Sequence, residues 1–276
     1  MDSTPTTFTI TPNSSYRLPS DKKYIHVTNA TIDSYNSTTG TLVLSNATGD
    51  VSINAYCPIK KGELILMDVG NSSTTKFRVV KDAIGSETSD EEYETVVEVL
   101  SMEDNLTSTF GTNNTYSDST LDTYCNSTYY NTLSTTAKSA IVAKSIIQYK
   151  YSNVSSAYNS STHASYASYP GSSVDIITKN VYALDVQDIE LYFGGSNSSK
   201  GSFSTTELLT MFWNTTSSKS TFPWLRSATA SYTTNVWGVR GSFGDVNYAY
   251  VRNSYVVRPA FQVDLSKISF SKISSL

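Results

Sequence analysis

The sequence predicts an α+β protein, and three observations support this class. Apolar and polar residues alternate in much of the first hundred residues, helical spacing replaces the alternation between about 119 and 144, and alternation returns near the end. Strands, two helices and strands again are typical of α+β folds, because a parallel sheet would alternate strand and helix throughout. The 276 residues are enough for one large domain or two modest ones.

The N-terminal segment, 1–57, is predicted to be a small all-β module. Short alternating runs occur at 24–28, 41–44 and 51–55, and the Thr39-Gly40 and Thr48-Gly49 steps supply turns. The size of the segment suggests an anchoring or assembly role. We expect a second, larger domain to occupy 58–276, beginning with strands at 63–67, 76–80 and 95–102.

Helices are predicted in the middle of this larger domain. Ser119 is expected to cap a helix at 120–132, and Ser134 a second helix reaching Lys144. A polar insertion at 149–173 follows. Asp185 is the expected N-cap of a short third helix, which Gly194-Gly195 would end.

The last part of the chain is predicted to form strands buried on one face. Trp237, Val239 and Phe243 share one alternating face, which assigns these three residues to the core and Arg240 to the outer face. A second alternating run follows at 257–265. Both patterns favour antiparallel strands with a buried and an exposed side.

Composition excludes several classes of protein. Aromatic residues reach 12% and the net charge is only −4, which argues against disorder despite 38% hydrophobic residues. No Lys/Arg cluster indicates nucleic-acid binding. No apolar run is long enough for membrane insertion, and the first residues show neither the basic patch nor the apolar run of a secretory signal.

Catalytic chemistry has little support, and no cofactor or metal is predicted. Cys57 and Cys125 are far apart and form no ligand cluster with His26 or His163, so the cysteines are interpreted as ordinary buried thiols. Nucleophilic catalysis requires a base beside a serine or cysteine, and no such pairing is visible. Asp185 and its neighbour Asp188 lie at a helix start, where acidic residues are stabilised by the helix dipole.

Two short motifs carry a resemblance to a known family. Residues 222–228 read FPWLRSA and 256–261 read VVRPAF. These resemble the W-L-R-S and V-R-P-A signature of a bacterial and phage domain family with a C-type lectin-like fold. Upstream stretches at 119–124, 133–138 and 181–185 fit in order, so the resemblance spans roughly 60–268.

The resemblance implies a C-type lectin-like domain whose first and last strands lie close together. Its relatives include formylglycine-generating enzymes and the variable proteins of diversity-generating retroelements. The enzymes depend on reactive cysteines late in the domain, and no cysteine follows Cys125 here. The variable proteins bind cells or macromolecules through residues between the two end motifs. Fold alone does not give function, so the residues in that interval must decide.

The interval between the motifs is rich in tyrosine, asparagine, serine and arginine, the composition of antibody-like binding surfaces. We predict a ligand-binding surface there. Its residues are Tyr232, Asn235, Arg240, Asn247, Tyr248, Tyr250, Arg252, Asn253 and Tyr255. Apart from Tyr232 and Asn253, these side chains are expected to form one contiguous, largely exposed patch.

The signature residues Trp224, Arg226 and Arg258 are interpreted as structural. A tryptophan at the start of a strand is expected to be buried in the hydrophobic core. An arginine within an apolar run is usually held by backbone carbonyls or by a carboxylate.

These observations lead to the hypothesis of a non-enzymatic binding protein on a phage virion or a bacterial surface, that is, an adhesin or receptor-binding protein. Its partners would be a host-surface glycan or protein and other virion proteins. A structural capsid decoration or fibre protein is the first alternative, and a formylglycine-generating type of enzyme the second. The ligand, the host and the oligomeric state, for instance a trimer, stay open.

Overall fold

The computed structural model describes residues 4–12, 18–19, 21–55, 59–70, 74–81, 96–149, 174–193, 204–229 and 232–273. Cys57, His163, the Gly194-Gly195 pair and nearly all of the polar insertion at 149–173 lie outside these residues. The described residues form an α+β protein, as the sequence predicts.

The strands are β1 (Thr6–Thr9), β2 (Ile25–Thr28), β3 (Thr31–Asn36), β4 (Thr41–Ser45), β5 (Ser52–Ala55), β6 (Leu64–Met67), β7 (Thr75–Lys81), β8 (Val96–Ser101), β9 (Thr107–Thr109), β10 (Ile141–Val142), β11 (Lys144–Tyr149), β12 (Val174–Lys179), β13 (Trp224–Ala228), β14 (Asn235–Arg240), β15 (Asp245–Tyr250), β16 (Ser254–Val256), β17 (Ala260–Asp264) and β18 (Phe270–Ile273). The α-helices are α1 (Thr120–Thr123), α2 (Tyr130–Thr132), α3 (Thr135–Ala140), α4 (Val186–Tyr192) and α5 (Thr205–Trp213). A π-helical stretch, Tyr124–Tyr129, joins α1 to α2.

The N-terminal strands form two small antiparallel sheets, with the orders β1-β4-β3 and β2-β5. Ile25, Leu42 and Leu44 are buried in a hydrophobic cluster of their own. A much larger cluster begins at Ile59 and extends to Ile268. The division of the chain into domains at residue 57 stays a prediction, and these two clusters are consistent with it.

The largest sheet has six strands in the order β10-β17-β8-β7-β6-β18. All of its pairings are antiparallel. The edge strand β18 pairs with β6, so the first and last described strands after residue 57 lie side by side. This pairing confirms the expectation that the two ends of this part of the chain meet.

Both predicted serine caps form, and the helix predicted at 120–132 is present as α1, the π-helical stretch and α2. The side chains of Ser119 and Ser134 accept hydrogen bonds from the third backbone N–H of their helices, at 3.0 and 3.1 Å. The prediction of a helix up to Lys144 is wrong, because α3 ends at Ala140. The β-branched residues that follow pair as strands with β17 and β12 instead.

Helix α4 is capped as predicted, whereas α5 was not foreseen. Asp185 and Asp188 form a capping box at the start of α4, each side chain accepting from the other's backbone N–H. Ser204 and Glu207 form the same box at the start of α5. The apolar side chains that follow in α5 are buried in the main core, so this helix is an integral part of the fold.

A three-stranded sheet, β13-β14-β15, carries the interval in which ligand binding was predicted. Its central strand, β14, is buried on both faces: Val236 and Gly238 point to one side, and Trp237 and Val239 to the other. The signature strand β13 is buried throughout. The second signature segment lies beside it through a bridge between Pro223 and Val256.

We expect Gly238→Ala to lower the free energy of unfolding by about 1–3 kcal/mol, because a buried β14 cannot accommodate an added methyl group. A Cβ atom there would lie 2.1 Å from Cε1 of Phe222 and 2.7 Å from the carbonyl oxygen of Pro223. Urea unfolding monitored by tryptophan fluorescence measures the change. Gly49→Ala is the matched control, since its Cβ would meet no atom closer than 3.9 Å. Equal unfolding midpoints for the two variants would contradict the packing described.

In the part of the chain that the structure describes, every helix is too short or too polar to cross a membrane.

Candidate functional site

Three exposed tyrosines gather on one side of the β14–β15 hairpin. Tyr248 lies opposite Trp237 and Tyr250 opposite Asn235, so these four side chains share a face of the sheet. The ring of Tyr232 lies 6.0 Å from that of Tyr248. We call the surface formed by Tyr232, Asn235, Tyr248 and Tyr250 the tyrosine face.

The tyrosines combine a packed base with exposed rings. Tyr248 meets Trp237 edge to face at 5.6 Å and covers this buried residue. Even so, 46% of Tyr248 stays exposed, as do 43% of Tyr250 and 55% of Tyr232. Asn235 is half-buried between them. Large aromatic groups held in this way expose apolar area with little freedom left to lose on binding.

The predicted single patch is divided by the structure. Arg240 and Asn247 lie on the face of the hairpin opposite to Tyr248, because side chains alternate along each strand. The guanidinium of Arg240 donates to both carboxylate oxygens of Asp245, at 2.9 and 2.5 Å. The prediction that Arg240 belongs to one continuous surface with the tyrosines is therefore wrong.

The assignment of Phe243 to the core is also wrong. Phe243 is 61% exposed, and its ring centroid lies 4.0 Å from the guanidinium carbon of Arg240. The alternation that predicted burial stops at Arg240, because 241–244 form the turn of the hairpin. Gly244 adopts a positive φ of 59° in this turn.

The other predicted contact residues follow β15. Arg252 and Asn253 are exposed in the turn that precedes β16. Tyr255 belongs to the core rather than to the predicted patch, because its ring packs 4.7 Å from Phe222 and 5.0 Å from Trp224. Its hydroxyl accepts a hydrogen bond from Nδ2 of Asn253 at 3.2 Å.

The signature tryptophan is buried in an aromatic cluster. Trp224 packs against Phe110, Phe222 and Tyr255 with centroid distances of 6.0, 5.7 and 5.0 Å. Its indole N–H donates to the carbonyl of Ser108 at 2.9 Å. These contacts give Trp224 the structural role that the sequence interpretation assigns to it.

Both signature arginines are held by the partners expected for a buried guanidinium. Nη1 of Arg258 donates to the carbonyl of Ser101 at 3.0 Å, and Nη2 donates to Asp104. Burial lowers the pKa of Arg258 to about 10, with Asp104 acting in the opposite direction. The guanidinium lies over the ring of Trp213, 5.5 Å from its centroid, and so links the segment just before β17 to the end of α5.

Arg226 forms the centre of a second, more extensive network. Nη1 donates to the carbonyl of Ala183 at 2.7 Å and to Oδ2 of Asp188 at 2.6 Å, and Nη2 donates to Asp185 at 2.9 Å. Burial lowers the pKa of Arg226, but the two carboxylates outweigh it and keep the pKa above its ordinary value. Burial raises the pKa of Asp188, while Arg226 and Lys144 lower it to about 2.

The network continues to the six-stranded sheet through Lys144. The ammonium group of Lys144 lies 2.8 Å from Oε1 of Glu98 and 3.3 Å from Oδ1 of Asp188. The hydroxyl of Tyr182 also donates to Oε1 of Glu98, at 2.7 Å. Oε2 of Glu98 accepts no hydrogen bond from a described residue.

The network forms one wall of a cleft of about 450 Å³, which we call the charged cleft. Its polar lining comprises Lys61, Lys81, Glu98, Lys144, Ser145, Asp185, Gln187, Asp188 and Arg226. Val80, Ile146, Ile147, Leu191 and Tyr192 supply the apolar lining. The sequence interpretation did not identify this cleft, because its residues come from six separate segments. The expected pairing of Arg226 with a carboxylate was the only signal within the sequence.

The comparisons with known proteins place most of this structure in one family. Residues 93–265, more than half of the chain, match the family described as "Domain of unknown function (DUF6273)". The chain belongs to this family. No curated protein and no solved structure gives a significant match to the chain.

The DUF6273 region contains the tyrosine face and most of the charged cleft, but only part of the six-stranded sheet. Strands β6, β7 and β18 lie outside 93–265, although they complete that sheet. Lys61 and Lys81 of the charged cleft also precede the matched region. The family match and the hydrophobic core therefore do not have the same limits.

Thiol chemistry is disfavoured at the one cysteine that the structure describes. Cys125 is fully buried in the π-helical stretch, and burial raises its pKa to about 12. A reactive cysteine needs a lowered pKa and access to solvent. Among the described residues, no cluster of three or more histidine, cysteine or acidic side chains is placed to hold a metal ion.

Proposed function

We propose that the protein is a non-enzymatic binding protein and that the tyrosine face contacts its ligand. The observation that carries the proposal is the gathering of Tyr232, Tyr248 and Tyr250 on one exposed side of the β14–β15 hairpin. Tyrosine rings provide large contact areas and a hydroxyl for hydrogen bonding, with only two side-chain torsions to fix. Such residues are enriched among those that dominate binding energies.

The face has the properties of a binding surface for a glycan or a polar protein surface. It has no charged side chain of its own, and Asn235 supplies an amide between the rings. Flat aromatic rings stack on the apolar sides of their partners, while hydroxyl and amide groups exchange hydrogen bonds with polar groups. Arg252 and Asn253, exposed in the following turn, would extend the contact area.

The finer fold assignment and the biological setting belong to the same proposal. A C-type lectin-like fold is supported by the motifs at 222–228 and 256–261 and by the pairing of the domain's terminal strands. The same resemblance supports display on a phage virion or a bacterial surface. In that setting the N-terminal strands would contact other virion or surface proteins. These strands have a small hydrophobic core of their own, which is compatible with an assembly module.

Hydroxyl-radical footprinting of the free protein tests whether the tyrosine face is available to a ligand. We expect Tyr232, Tyr248 and Tyr250 to be oxidised readily and the buried Tyr116 and Tyr182 to be protected. The oxidation pattern should not change with protein concentration, because a surface that no second copy covers is equally accessible at every concentration. Protection of all three tyrosines at high concentration would indicate an assembly contact and favour the structural decoration protein.

A further inference from the structure

The charged cleft has an uneven distribution of charge. Its buried wall carries three carboxylates, those of Glu98, Asp185 and Asp188, but only two cations, Lys144 and Arg226, which leaves an excess of one negative charge. Two further lysines, Lys61 and Lys81, are exposed at the cleft. The cleft is therefore negative inside and positive at its rim.

One carboxylate oxygen in the wall is open to a ligand. Glu98 is 3% exposed, and both of its hydrogen bonds go to Oε1, which leaves Oε2 without a donor among the described residues. This oxygen keeps contact with solvent in the cleft and can be reached by a ligand, and a charge-assisted hydrogen bond in such a recessed site is stronger than one at the surface. Lys81 lies directly opposite Glu98 in the sheet, on the same face.

These charges select among small ligands. A simple anion would meet the excess negative charge of the wall, and a simple cation would meet two lysines at the rim. A zwitterion with its ammonium group inward and its carboxylate outward matches both regions. The apolar lining from Ile147, Leu191 and Tyr192 would accept an apolar side chain.

We propose that the charged cleft binds a free α-amino acid with an apolar side chain. The ammonium group donates to Oε2 of Glu98, the carboxylate pairs with Lys81 at the rim, and the side chain packs beside Leu191. A volume of about 450 Å³ is within the range of small-molecule sites. No residue of the tyrosine face lines this cleft, so this proposal is independent of the proposed function.

Isothermal titration calorimetry with L-leucine as the probe tests the proposal. L-leucinamide keeps the ammonium group without the carboxylate, and 4-methylpentanoate keeps the carboxylate without the ammonium group. We expect L-leucine to bind and each analogue to bind about tenfold more weakly or not at all, because each lacks one charge-assisted contact. Absence of binding by L-leucine at millimolar concentration, or equal binding of either analogue, would overturn the proposal.

Two variants and a control locate the site. Lys81→Gln is expected to weaken L-leucine binding about tenfold, while Lys76→Gln, an exposed lysine on the same strand but outside the cleft, leaves it unchanged. Glu98→Gln should weaken L-leucine more than 4-methylpentanoate, since only the former has the ammonium group. Unchanged or tighter binding of L-leucine by Lys81→Gln would refute the pairing of its carboxylate with Lys81. Tighter binding would show that Lys81 instead competes with the ligand for Glu98. A Tyr232→Ser/Tyr250→Ser variant should bind L-leucine as the parent does, because neither tyrosine lines the cleft. This variant therefore separates the test of the charged cleft from that of the tyrosine face.

Discussion

Replacing Arg226 with methionine is expected to lower the free energy of unfolding by about 3–5 kcal/mol. The substitution removes the hydrogen bonds to Ala183, Asp185 and Asp188 and leaves two carboxylates buried without their main counter-charge. Such a loss is a large part of the total stability of most domains. Urea unfolding at pH 7, followed by tryptophan fluorescence and circular dichroism, measures it.

Two further variants show whether the uncompensated charge is the cause. Arg252→Met removes an exposed arginine and should change the stability by less than about 0.5 kcal/mol. Adding Asp185→Asn to Arg226→Met should recover part of the loss, because asparagine can still cap α4 but carries no charge. If Arg226→Met unfolds at the same urea concentration as the parent, the network has no structural role.

Trp224→Ala is expected to have an effect of similar size, about 3–5 kcal/mol, because it leaves a cavity in the main core. The indole contacts three aromatic rings and donates to the carbonyl of Ser108, so its loss also removes a hydrogen bond to a half-buried acceptor. Trp224→Phe should cost less, since the ring contacts largely remain. The same unfolding measurement applies.

Tyr232→Ala is the matched control for this second prediction. It removes an aromatic ring of the tyrosine face that is more than half exposed, and we expect a change within about 0.5 kcal/mol. A larger loss for Tyr232→Ala than for Trp224→Ala would reverse the assignment of these two residues to surface and core.

The parts of the fold that local chemistry determines could be predicted from the sequence. Ser119, Ser134 and Asp185 cap their helices as expected, because a hydroxyl or carboxylate before a helix satisfies an N–H that has no partner within it. The end of α3 could not be predicted in the same way. The pairing of β10 with β17 decides it, and these strands are more than a hundred residues apart.

The candidate sites were predictable to different degrees. Composition alone indicated the interval that carries Tyr232, Tyr248 and Tyr250. The sequence prediction assigned Trp237 to the core face and Tyr248 to the outer face, whereas the hairpin register places both on one face. Tyr248 therefore also protects the core, which makes it a poor residue to replace in a binding test. The charged cleft depends on long-range contacts such as Lys144 with Glu98, for which the sequence has no local signal.

Binding to an array of bacterial and host glycans, with bacterial surface proteins on the same slide, tests whether the tyrosine face holds a ligand. We compare the parent with Tyr232→Ser/Tyr250→Ser, which keeps Tyr248 over Trp237, and with Ile176→Ser, which removes a comparably exposed apolar side chain on β12. We expect the parent and Ile176→Ser to bind. The double variant should bind at least thirtyfold more weakly, a loss of about 2 kcal/mol, with an unchanged melting temperature. Equal binding by all three folded proteins would contradict the claim that the tyrosine face holds the ligand.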